Sequence, residues 1–172
     1  MPETVLEEEV LDEVERTVHG PGPPIIIGAI AHHIDEQHTG EGEDTSPALS
    51  WGYAPDGTRA YAVLCHDPDA PLVSPAGTYG FVHWVLYNIP DSTTALVEGC
   101  SEYTNGKNDF GNEAYGGPMP PNGHGTHRYY YWILALDEQA DLEAGLTMWQ
   151  LLERIEPSLI GMNRLVGTYQ RA

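Results

Sequence analysis

Positive charge is what this chain most lacks. Seven Lys and Arg residues stand against 26 Asp and Glu, a formal charge of −19 over 172 residues, and Lys107 is the one lysine. Binding to a nucleic-acid backbone rests on clustered Lys and Arg, so nucleic acid is excluded as a partner class. An anionic membrane surface is disfavoured on the same ground. No run of 18 apolar residues is present, which argues against integral membrane association. The N-terminus has neither the basic nor the apolar region of a signal peptide, so a cytoplasmic location is expected. Cysteine is scarce: Cys65 and Cys100 are too few for a disulfide framework, although one bridge between them stays open, and Cys65 sits in an apolar run where a buried thiol is the default. The HExxH, GxSxG and P-loop patterns are missing, which removes the most legible enzyme signatures.

What remains is an acidic chain long enough for one domain, burying roughly 70% of the surface its unfolded form exposes without help from a disulfide or metal. The acidity reads either as plain solubility or as adaptation to high salt, where the Debye length shrinks to about 3 Å and self-repulsion is screened. Residues 1–20 read as an acidic amphipathic extension. Leu6, Val10, Val14 and Val18 recur at helical spacing, Leu11 widens the stripe, and Gly20 with the Pro21-Gly22-Pro23-Pro24 run stops it. Such a helix either docks on its own domain or packs on a second subunit as a homodimer contact. Residues 21–172 form the domain proper.

That domain is strand-rich. Arg59 to Cys65, Gly80 to Ile89 and Tyr129 to Leu136 are dense in β-branched and aromatic residues, and Pro55-Asp56-Gly57 and Asn122-Gly123 read as turns. Strands without intervening helices predict a mainly β fold, two packed antiparallel sheets in a Greek-key-like sandwich. Helical spacing returns late: Met148, Leu152, Ile155 and Leu159 form a stripe, Pro157 marks a break or a new first turn, and Met162 and Val166 continue it toward Gly167. C-terminal helices are therefore expected.

Three stretches concentrate His and Asp beside rigid Pro/Gly backbone at strand edges: DPDAP at 67–71, GFVHWVLYNIP at 80–90 and YGGPMPPNGHGTHRYYYWILALD at 115–137. Strand parity puts His127 and Tyr129 on one face, about 6.6 Å apart along the chain, and Arg128 on the other. The same rule groups Phe81, His83 and Val85 against Val82 and Trp84. A His in apolar company needs a hydrogen-bond partner or a wet cavity. Asp67 lies where its strand meets Pro68, and both Asp67 and Asp69 also read as caps of turn N–H groups. The Ala70-Pro71 bond is a candidate cis peptide. Gly116, Gly117, Pro118, Pro120 and Pro121 read as a stiff rim where glycine lets a ligand near backbone N–H groups, or as a loop that only needs those dihedrals.

In this order and spacing the three motifs resemble the phosphatidylethanolamine-binding protein family, over roughly residues 21–172. The resemblance implies one anion pocket built from Asp67, His83, His127 and Tyr129, closed by the loop around Gly117 and Pro118, with phosphate-type groups or phospholipid head groups as ligands and no cofactor or metal. A carboxylate about 5 Å from a bound phosphate would repel it by roughly 3 kcal/mol at an effective dielectric of 20. Asp67 is thus expected to accept from a His ring N–H, fixing its tautomer and favouring the cation, or to stay protonated.

The leading functional expectation is a non-catalytic binder that regulates or inhibits a partner protein. Two alternatives stay open. Two His with one Asp could serve a metal-dependent or His-based hydrolase. A serine-protease inhibitor, suggested for some relatives, would need a rigid reactive loop, and residues 101–113 carry Asn105, Gly106, Asn108 and Gly111 instead.

Overall fold

Three long apolar runs build this molecule. In the computed structural model, which describes residues 26–28, 33–71 and 80–172, those runs become β3 (Ala60–Asp67), β4 (Phe81–Pro90) and β7 (His127–Leu136). The proposed acidic helix of residues 1–20 lies outside the described residues. β3 is the central strand, with β4 and β7 antiparallel on either side. Sandwiched on both faces, it is buried at every position from Ala60 to Cys65, which explains its unbroken apolar run.

Short strands β6 (Thr104–Asn105) and β8 (Leu159–Tyr169) extend this sheet to the order β6-β4-β3-β7-β8. A second antiparallel sheet, β1-β2-β5, consists of Ile26–Gly28, Leu49–Gly52 and Ala95–Leu96. Leu49, Trp51 and Leu96 of the small sheet meet Val63, Trp84 and Tyr131 of the large one in the main core. A second core lies on the other side of the large sheet, where Leu64, Val85 and Leu134 pack beneath Leu151 and Ile155 of α1 (Met148–Ile155). Thr147 and Gln150 form a capping box that starts α1. No described helix is long and apolar enough to cross a membrane.

Three expectations need correction. Only one C-terminal helix forms among the described residues. Pro157, which cannot donate a backbone hydrogen bond, sits in a single 3-10 turn, and the segment with Met162 and Val166 is strand β8, paired along the free edge of β7. Strict alternation also fails in β4. Cys65 pairs with Trp84 but His66 with Val82, so one extra residue, His83, bulges out of the strand. Trp84 therefore faces the inter-sheet core on the His83 side, and Val85 joins Val82 beneath α1. Third, no described peptide bond is cis, Ala70-Pro71 included.

Candidate functional site

The end of β3 and the starts of β4 and β7 meet at one end of the large sheet, where Asp67 pairs with Phe81 in the ladder. β7 keeps its alternation: His127 and Tyr129 are buried and Arg128 is exposed. Arg128 grips Asp69 instead, through its backbone N–H at 2.8 Å, Nε at 2.9 Å and a terminal nitrogen at 2.8 Å. That guanidinium holds the Asp69 carboxyl below the usual carboxylate range.

Asp67 does both things the sequence left open for it. Oδ1 accepts from the backbone N–H of Asp69 at 2.8 Å and Ala70 at 3.2 Å, capping the turn. Oδ2 accepts from His127 Nδ1 at 2.7 Å, with both side chains about 2–3% exposed. The carboxylate thus sits behind the imidazole, fixing its tautomer, and is not among the groups that line the cleft described below.

His83, 3% exposed at the bulge, donates from Nδ1 to the carbonyl of Gly116 at 2.6 Å. A carbonyl only accepts, so the Nδ1 proton is fixed and Nε2 is the ring atom left to meet a ligand. Burial pushes the His83 pKa below its ordinary value, partly offset by bonds to the backbone of Gly116 and Gly117 and by the charge of Asp67.

Tyr129 stands between the two rings. His83 meets it edge-on at 5.1 Å between centroids, and His127 lies near-parallel at 6.4 Å. Its hydroxyl is buried and has no hydrogen-bond partner among the described residues, and burial raises its pKa far above that of an ordinary phenol.

His83, His127 and Tyr129 line one cleft of about 200 Å³. Its remaining walls are apolar: Phe81 and Phe110, the chain's two phenylalanines, together with Met119, Pro120 and Pro121. Phe81 and Phe110 pack edge-to-face at 4.6 Å, and the His83 ring lies 5.0 and 5.6 Å from them. Phe110 and Met119 are 47% and 43% exposed, forming apolar lips.

Gly117 and Pro118 stand behind the wall. The Gly117 N–H donates to Asp44 Oδ1 at 2.6 Å, and Pro118 O accepts from Gly40 N–H at 3.0 Å. Glycine is required at 117 because a Cβ there would sit 2.3 Å from the carbonyl oxygen of His38.

Sequence reasoning missed two groups. His124, exposed on the loop before β7, places Nδ1 2.7 Å from His127 Nε2. Two histidines three residues apart, His124 and His127, were the available signal. The other is a tie from the C-terminus. Glu41 accepts from Tyr169 Oη at 2.7 Å and pairs with Arg171 at 2.9 Å, and Arg171 reaches Pro120 O at 3.4 Å. The Tyr169 bond first, then Arg171, lowers the Glu41 pKa.

Among the described residues no three His, Cys, Asp or Glu side chains are placed to hold a metal ion. Cys65 and Cys100 are free thiols, and burial raises the Cys65 pKa.

Comparison with known proteins agrees with the fold. The sequence model of the phosphatidylethanolamine-binding protein family matches residues 28–170. A UPF0098 protein of Aquifex aeolicus is 37% identical over 145 residues, covering 80% of this chain and 81% of that one. A UPF0098 protein of Methanothermobacter thermautotrophicus is also 37% identical over 145 residues, covering 80% and 91%. The crystal structure of a homologue of phosphatidylethanolamine-binding protein from Chlamydia trachomatis superposes with a TM-score of 0.77 at 30% identity, covering 87% of this chain and 99% of that one.

Proposed function

The chain belongs to the phosphatidylethanolamine-binding protein family, and from that premise we propose that it is a non-catalytic binder of phosphate-type oxyanions, free or at the head of a phospholipid, in the cleft between β4 and β7. The observation that carries this reading is the buried, unpartnered hydroxyl of Tyr129, a residue whose ring lies against both imidazoles. A buried O–H without a partner is costly, and an incoming oxyanion supplies the acceptor. His83 Nε2 can then carry a proton to the same anion, whose charge offsets the burial that otherwise keeps the ring neutral. Asp67, held behind His127, supports that ring without meeting the ligand. The apolar walls, with Phe110 and Met119 at the mouth, suit the carbon chain of a phosphate ester.

A His-based hydrolase draws some support from the Asp67–His127 bond, the arrangement of a general base and its orienting carboxylate. Nε2 of His127, the atom a general base would turn to water, is instead engaged by His124 Nδ1 at 2.7 Å, which favours binding over turnover. Calorimetric titration with inorganic phosphate and with phosphoethanolamine tests the proposal. The wild-type protein should bind, and His83→Gln should bind at least tenfold more weakly while staying folded. Equal affinity in the two proteins, or release of phosphate from the ester, would remove the reading.

A further inference from the structure

Both ring nitrogens of His127 are engaged. Nδ1 faces Asp67 Oδ2 at 2.7 Å, and Nε2 faces His124 Nδ1 at 2.7 Å, a separation that holds one proton between two nitrogens. The two imidazoles meet with centroids 5.0 Å apart and planes inclined by 57°, a contact through the bond and not a face-to-face stack. His124 is exposed, in a turn closed by its own N–H to Pro121 O at 3.1 Å. Gly123 and Gly125 flank it at φ +72° and +89°, so the backbone on either side takes conformations open to glycine and carries no Cβ to obstruct movement.

We propose that His124 gates the oxyanion site by occupying Nε2 of His127, and that a ligand binds by displacing it. The inference rests on the cleft reading given above. It holds wherever the shared proton lies. If the proton belongs to His124, the Nε2 lone pair of His127 is an acceptor already filled. If it belongs to His127, the Nε2 donor already points at His124. With the proton on His127, a ligand claims that position only by being a better acceptor than a neutral imidazole, which a charged phosphate oxygen is and a neutral hydroxyl or amide oxygen is not; with the proton on His124, the His127 ring first takes that proton up. His124 therefore makes the site select for charge, in a cleft whose walls would otherwise admit neutral molecules of similar shape.

Calorimetry with inorganic phosphate on the full chain tests this through two variants. His124 is exposed and outside both sheets, so neither variant threatens the fold. His124→Ala should bind phosphate roughly 2- to 10-fold more tightly, the net worth of one hydrogen bond removed from the competition. His124→Asn, whose amide can occupy the same position but is a poorer partner than an imidazole, should fall between the wild type and His124→Ala. Weaker binding by His124→Ala would make His124 a contact of the bound anion and overturn the gate; unchanged binding would overturn it too. If no protein binds phosphate, the cleft reading fails on its own account. The gate contact is then judged by imidazole ¹⁵N spectra, in which His124→Ala must shift the His127 Nε2 signal; an unmoved signal overturns the contact.

Discussion

Replacing Tyr129 with Phe removes a single oxygen, and the structure assigns that oxygen opposite effects on stability and on binding. The side chain is 0% exposed and its hydroxyl has no partner among the described residues. An unsatisfied buried hydroxyl costs about 1–3 kcal/mol, and the dispersion attraction between that one oxygen and its neighbours offsets part of the cost. Tyr129→Phe should therefore stabilise the protein by about 1 kcal/mol in phosphate-free buffer, raising Tm by about 2–4 °C. With ligand the order reverses. A hydrogen bond to a charged acceptor is worth about 1.5–3 kcal/mol, so the variant should bind phosphate about 10- to 150-fold more weakly. At a phosphate concentration near 100 times the wild-type Kd, linkage stabilises the wild type by about 2.7 kcal/mol and the variant by only about 0.3–1.4 kcal/mol. Melting curves recorded across a phosphate series should thus cross. A variant that melts below the wild type without phosphate, or that gains as much from phosphate as the wild type does, would refute the assignment.

Asp67→Asn should lower stability by about 2–4 kcal/mol, because the bonds to two turn N–H groups lose their charge and the His127 ring must give up its Nδ1 proton to meet the amide N–H. Circular dichroism should show Tm falling by about 5–15 °C, and a fall under about 2 °C would contradict the bonding described. Because burial holds His83 neutral in the protein alone while a bound anion favours its cation, binding takes up a proton. Phosphate affinity should therefore rise as pH falls from about 8 to 6, and keep rising until the depressed pKa of the unliganded ring is passed. Tighter binding in alkali would reverse that sign. Gly117→Ala forces a Cβ to within 2.3 Å of a backbone oxygen of His38 and 2.8 Å of Asp44 Oδ1. It should cost about 1–3 kcal/mol in thermal unfolding, and a neutral result would mean the loop gives way freely.

The parts of this molecule that were legible in its sequence are those where a local rule faces no rival. β3 and β7 follow their apolar runs, and parity along β7 separates His127 and Tyr129 from Arg128 because nothing interrupts that strand. Parity fails at His83 because a bulge is a property of two paired strands, invisible in either one alone. Met162 and Val166, four apart, satisfy a helical period and a strand period of two equally well. The open edge of β7 decides between them, and that is a tertiary fact. The pairing of Asp67 with a ring was foreseeable from chemistry, but the choice of His127 over His83 depended on which strand ends meet. His124, Glu41 and Arg171 act from loops and the chain terminus, where no periodicity speaks for them.

The chain holds two phenylalanines, and both belong to the wall beside His83. Biosynthetic incorporation of fluorophenylalanine would consequently yield a ¹⁹F spectrum of two resonances, each arising from the cleft and none from elsewhere. Ligand arrival, charge selection and loop movement could all be followed in that spectrum of the purified protein without background from other sites.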